Sequence, residues 1–168
     1  IREWALTNIF FPRMFRHSGI LSTMDTRDFL SDKYTVRFEK LLSNGSCLAH
    51  ADGMALFVPF GIPGETAEIR ITDQKKGYLT GEITGISDYS PDRTQPLCPL
   101  FGRCGGCSLQ HIKYERQLEL KKEMLTEALK RTGHIDFSDI KVIPSRPYGY
   151  RIRTQFHPAP DGNPGFMS

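Results

Sequence analysis

The sequence predicts a mainly β protein with one long helix: a small five-stranded barrel of the OB type, a cysteine loop, the helix and an incomplete β-rich unit. Three observations predict it. Polar and apolar residues alternate with frequent turn signals from Tyr34 to Ser87, three cysteines crowd into ten residues, and an amphipathic stretch follows them.

Tyr34, Val36 and Phe38 alternate with Thr35, Arg37 and Glu39 in the first strand. Asn44-Gly45 gives a tight turn because both residues tolerate positive φ. Cys47 to His50 forms a short strand, and Ala51-Asp52-Gly53 turns it into Met54 to Val58. The run Pro59 to Gly64 is a loop, since its two prolines lack donors and its glycines favour turns. Ala67, Ile69 and Ile71 define the next strand; a turn at Gln74-Lys75-Lys76-Gly77 leads into Tyr78 to Ile86. Short strands in such a compact run hide their edges best by closing, and Gly81 and Gly85 suit the bends that closure requires.

Asp88 to Pro99 reads as a linker. The helix then runs from about Tyr114 to Arg131, with Leu118, the Lys121 stem, Leu125, Ala128 and Leu129 on one face and Gly133 placed for its C-terminal cap. Short strands are expected at Ile140 to Ile143 and Tyr150 to His157, with Asp161-Gly162 as a turn and Gly165 to Met167 starting a return strand. Domain bounds follow: an extension at 1–30, a barrel at 31–90, the cysteine loop and helix at 91–135, and a truncated β unit at 136–168. Met24 opens a natural start, so residues 1–23 read either as a poorly ordered arm or as non-native.

A 39% hydrophobic, 24% charged composition is that of a water-soluble domain. Ile9-Phe10-Phe11 is too short for a signal core or a membrane span, so the expected setting is cytoplasmic and reducing. The net charge of +3 argues weakly for nucleic acid. Its distribution says more: residues 31–90 hold six Lys/Arg against eight Asp/Glu, whereas 91–168 hold twelve against eight.

Cys98, Cys104 and Cys107 form a C-x5-C-x2-C array with Gly102, Gly105 and Gly106 between them. Glycine permits the tight turns that would wrap backbone around one centre, and Arg103 adds charge favouring thiolate. Three readings stand on spacing alone. An iron–sulfur cluster takes four thiolates, one of which can come from far along the chain. Zinc would recruit His111 as a fourth ligand. Three ordinary thiols are the third reading.

The run from Leu97-Cys98-Pro99 through Gly105-Gly106-Cys107-Ser108-Leu109-Gln110-His111, then Tyr114, Gln117 and Lys121, resembles the cluster-binding segment of bacterial RNA (uracil-5-)-methyltransferases, most closely the branch acting on 23S ribosomal RNA. The barrel is similar to that family's TRAM domain at Gly45, Asp52-Gly53, Phe57-Val58-Pro59 and Pro63-Gly64-Glu65. Tyr150-Arg151 and Gln155-Phe156 resemble the start of its central β-rich domain. The resemblance implies a 4Fe-4S cluster on Cys98, Cys104 and Cys107 with a fourth ligand beyond Ser168, and Cys47 as a core residue. It implies transfer of methyl from S-adenosylmethionine (SAM) to C5 of a uridine by a catalytic domain this sequence lacks, so the chain alone should be inactive. The alternative is a stand-alone RNA-binding module with a structural metal site.

RNA, specifically 23S rRNA, is the expected partner of a monomer with no membrane attachment. Barrels of this kind use cations for phosphate and aromatics for bases. Candidate contacts are Arg70, Lys75 and Lys76 in the barrel, Lys113 and Arg116 beside the cysteines, and Arg151 and Arg153 downstream. Each has a plainer reading as a solvated turn, an ion-paired helix residue or a partner for acids elsewhere. Phe57 and Phe60 are candidate stacking rings that could equally fill the barrel core.

Overall fold

A computed structural model of the chain describes residues 33–158 and 164–166. The predicted extension at 1–30, the Asp161-Gly162 turn and Met167 lie outside them. Among the described residues the strands are β1 (Lys33–Arg37), β2 (Lys40–Leu41), β3 (Ser46–Ala51), β4 (Met54–Pro59), β5 (Thr66–Lys75), β6 (Tyr78–Asp88), β7 (His157–Pro158) and β8 (Pro164–Gly165). One helix, α1 (Tyr114–Gly133), separates β6 from β7.

The first six strands form one sheet in the order β1-β5-β6-β4-β3-β2, antiparallel except where β4 runs parallel to β6. The sheet curls into a half-barrel. The five predicted strands are present, and β2 adds a two-residue rung against β3 at Leu41 and Cys47. Curvature concentrates in β5 and β6. The register slips between Thr66 and Ala67, between Glu68 and Ile69 and between Ile71 and Asp73. Gly81 and Gly85 lie opposite Ile71 and Glu68 there, and bulges of this kind sharpen a strand's bend. A Cβ on Gly81 would lie 2.4 Å from the Ile69 side chain, so the close approach of β5 and β6 depends on that glycine.

Alternation in sequence becomes alternation in burial, most clearly along β5, where Ala67, Ile69 and Ile71 are buried and Glu68, Arg70 and Thr72 exposed. Phe38, Leu56, Val58, Ile62 and Leu79 complete the barrel core with Cys47. Two further members, Ile112 and Leu120, come from beyond the barrel. They tie the cysteine loop and helix onto it.

The helix corrects the expected face. Leu120 is its buried residue, with Met124 packed beside it, whereas Leu125 is exposed. Gln117 explains the choice: its amide donates to the Leu109 and Ile112 carbonyls, and Lys40 reaches Glu127 from the barrel. These contacts turn the 117/120/124/127 stripe inward and leave the Leu125 and Ala128 side on an open cavity. The predicted cap also moves. Gly133 stays helical and His134 takes the left-handed position at φ 52°, with the Ile135 N–H closing onto the Leu129 carbonyl.

Beyond the helix the expected strands at Ile140 to Ile143 and Tyr150 to His157 do not form; only His157–Pro158 pairs, with Pro164–Gly165. Alternation needs a second surface to bury its apolar face, and Ile152 is 95% exposed. A lone hairpin lacks that surface.

Candidate nucleic-acid interface and cysteine loop

The loop between β4 and β5 is bolted to the linker after β6 by one buried ion pair. Glu65 is fully buried and takes Nε and Nη2 of Arg93, each at 2.6 Å, on its two carboxylate oxygens. It also accepts the N–H groups of Ile62 at 3.0 Å and Ser90 at 3.2 Å. Arg93 spends its remaining reach on the Phe60 carbonyl at 2.9 Å. A buried carboxylate with four donors and a forked cation is satisfied, and removing either partner would strand the other. Sequence reasoning saw Glu65 only as part of a Pro-Gly-Glu turn and missed Arg93. No periodicity marks a pair 28 positions apart between two loops.

His111 makes the second clasp. It is 3% exposed, and its Nε2 lies 3.2 Å from the Gly61 carbonyl. A carbonyl only accepts, so Nε2 carries the proton and Nδ1 is a bare acceptor. Nδ1 is buried with no hydrogen-bond partner. Burial holds the imidazole pKa below its usual value, favouring this neutral form. The ring packs against Phe60 and Phe101, with centroids 6.1 and 5.6 Å away, so His111 serves the barrel loop.

Gly45 provides a third contact. It sits at φ +86° in the β2–β3 turn, and a Cβ there would lie 2.6 Å from the Ser108 side chain. Both requirements select glycine, and they seat the cysteine loop on the barrel.

Cys98, Cys104 and Cys107 line one cavity of about 1490 Å³ between this loop, α1 and residues 147–156. All four cysteines are free thiols. The Cys98 N–H is held by Gln110 Oε1 at 3.2 Å, and the Cys104 N–H by the Leu100 carbonyl at 2.9 Å. Three thiols facing a common space fit an iron–sulfur group in kind. They fall short in number and arrangement, since among the described residues no three His, Cys, Asp or Glu gather closely enough to hold a metal ion. Cys47 does not make up the fourth. It is fully buried in β3, and burial, with Glu65 nearby, pushes its thiol pKa up to about 12.

The predicted cations divide into two groups. In the barrel, Arg70 pairs with Glu82 across β5 and β6, and Lys75 with Asp73 at 2.6 Å. The latter bond is the first cause of the raised Lys75 pKa. Lys76 sits exposed at the turn with no ion-pair partner among the described residues. Lys113, Arg151 and Arg153 lie together on the wall of the cysteine cavity, joined by Lys121, against the single carboxylate of Glu115. None of these four cations has an ion-pair partner among the described residues. Arg116 stands apart. It is held by Glu119 at 2.8 Å, Glu123 at 3.0 Å and Asp92 at 3.9 Å, and hydrogen bonding to Glu119 leads the causes that raise its pKa. Of the two candidate stacking rings, Phe57 is half-buried beside Tyr78, centroids 5.2 Å apart, and Phe60 lies against Phe101.

Comparison with known proteins adds to this geometry. The TRAM domain family matches residues 30–84, the span of the half-barrel. Over 104 residues the chain is 41% identical to the 23S rRNA (uracil(1939)-C(5))-methyltransferase RlmD of Shewanella amazonensis, covering 62% of this chain and 24% of that protein. An uncharacterised RNA methyltransferase of Aquifex aeolicus is 40% identical over 120 residues, covering 70% of this chain and 28% of that protein. One from Halalkalibacterium halodurans is 36% identical over 127 residues, with shares of 74% and 28%. The chain thus spans about a quarter of the length of these curated relatives. Among the described residues no helix is long and apolar enough to cross a membrane.

Proposed function

We propose that this chain, a TRAM-domain member of the RNA methyltransferases, is the RNA-holding part of an enzyme that transfers methyl from SAM to C5 of a uridine in 23S ribosomal RNA. The observation that carries this reading is the cavity wall on which Lys113, Lys121, Arg151 and Arg153 face three thiols against one carboxylate. A cationic wall of that kind attracts a phosphate backbone and releases its counterions. The half-barrel and its two loop clasps hold the wall's base in place, so less ordering free energy is lost when RNA binds.

Cys98, Cys104 and Cys107 would be three thiolates of a 4Fe-4S cluster whose fourth ligand lies outside the described residues. When bound, the cluster would cross-link the cysteine loop and supply a structural constraint, because metal binding couples to folding. Methyl transfer itself belongs to a domain other than those described, so this chain alone has RNA affinity without turnover. Four free thiols suit a reducing, cytoplasmic setting.

The test is binding of single-stranded ribosomal RNA segments across a salt series. The double substitution Arg151→Ala with Arg153→Ala should weaken binding at low salt and lower the slope of log affinity against log salt by about 0.7 per lost phosphate contact. Arg116→Ala should leave the slope unchanged, since its charge is already matched by carboxylates. Equal slopes for all three proteins would remove the cavity wall from RNA binding. Iron and acid-labile sulfide measured after anaerobic purification test the cluster separately; zinc without sulfide would refute it.

A further inference from the structure

A second cavity, of about 590 Å³, lies where the Phe60 loop, the linker and the cysteine loop meet. Its size is that of a small-molecule site. Its walls include Phe60, Tyr89, Phe101 and His111, with Thr94 and Gln95 also lining it. Phe60 and Phe101 meet edge to face with centroids 5.1 Å apart. Tyr89 is 63% exposed and adds a third ring.

Two features mark the place as built. Phe60 holds φ at +64°, a conformation that a bulky residue keeps only where its surroundings impose it. The Arg93 bond to its carbonyl is that constraint. The second feature is the His111 ring, packed against the Phe60 and Phe101 rings at the cavity wall.

The charge of the site selects its ligand. Arg93 is the cation on these walls, and its guanidinium is bonded to both oxygens of Glu65. A phosphate would find no free positive charge there. A neutral, flat group finds ring faces.

We propose that this cavity receives one unpaired nucleobase of the bound RNA, its ring against Phe60, Tyr89 or Phe101. This rests on the RNA-holding reading and adds a base subsite to it. Backbone phosphates would pass outside.

The experiment scans a short single-stranded RNA with one abasic position at a time, against the full chain and its Tyr89→Ala and Gln95→Ala variants. Both substituted residues are exposed, so the fold is kept. At one position, removing the base should weaken binding about tenfold, and Tyr89→Ala should cost nothing more once that base is gone. If Tyr89→Ala costs the same with every oligonucleotide, or nothing with any, the base subsite is wrong while RNA binding stands. If the unsubstituted chain binds none of the RNAs, the RNA-holding reading falls and the subsite with it.

Discussion

The half-barrel at 33–88 and the stretch at 134–158 are both rich in apolar side chains, and they treat them in opposite ways. In the barrel, Leu56, Val58, Ile69 and Leu79 are fully buried. After the helix, Ile143 is 81% and Ile152 95% exposed, and Ile135, Phe137 and Phe156 are about half exposed. Sequence hydrophobicity is therefore not what makes one region a folded unit. The barrel closes because its strands supply each other's second surface, whereas a single extended run has nothing to bury against. The cysteine loop stands between the two cases. Its anchors, Ile112 and the helix residue Leu120, sit in the barrel core, and its thiols face open space.

That contrast can be broken at its strongest joint. Glu65→Ala leaves Arg93 half-buried and unpaired and removes the acceptor for two N–H groups. It should cost about 3–5 kcal/mol in urea unfolding. A loss below about 1 kcal/mol would mean that water replaces the pair without penalty.

A comparison of two apolar truncations sharpens the contrast. Leu120→Ala should cost about 2–5 kcal/mol because it opens a hole in a packed core. Ile152→Ala should change stability by less than about 0.5 kcal/mol, since that side chain already lies in solvent. Equal effects would show that the later stretch is packed in solution.

Within the barrel, Gly81→Ala should cost about 1–3 kcal/mol through overpacking against Ile69 and the Arg70 carbonyl. Gly85→Ala meets nothing nearer than 4.0 Å, so it should be much milder. Matched midpoints in a denaturant series would deny that β5 and β6 approach closely at Gly81.

The smallest effect is one of pH. The Cys47 thiol is raised from 9.0 to about 12 by burial, so the folded chain keeps a proton that the unfolded chain releases. Between these values the native state binds more protons, and stability falls as pH rises. By pH 10 the loss from this group should be about 1.4 kcal/mol. Cys47→Ala should lack that component of the alkaline decline, and parallel curves for the two proteins would place the thiolate in solvent.

The barrel was legible because local alternation, turn residues and closure agree on one answer. Tyr34 to Ser87 carried the strands, with only the two-residue β2 too short to announce itself. The helix was legible in extent, whereas its buried face was not. Two apolar stripes compete there, and Gln117 and Lys40, both polar, settle which one turns inward. Cys98, Cys104 and Cys107 were legible as a group from spacing. The clasp of Glu65 with Arg93 and the seat of His111 on Gly61 were not, since each joins loops far apart in sequence. Charge counts placed the basic excess in the second half, but ion pairing decides which cations remain available. Arg70, Lys75 and Arg116 are matched by carboxylates, and among the described residues Arg151 and Arg153 are not.

The linker and cysteine loop are bonded to the barrel as one platform, and RNA is proposed to be held on it. Hydrogen exchange on the full chain, with and without single-stranded ribosomal RNA, tests it most directly. The Thr94 and Lys113 amides, bonded to the His111 and Asp92 carbonyls, should exchange almost as slowly as those of the barrel strands. RNA should slow residues 89–104 further, and residues 147–156 with them. Exchange at 89–104 as fast as at residues 134–146, with no stretch slowed by RNA, would overturn both statements.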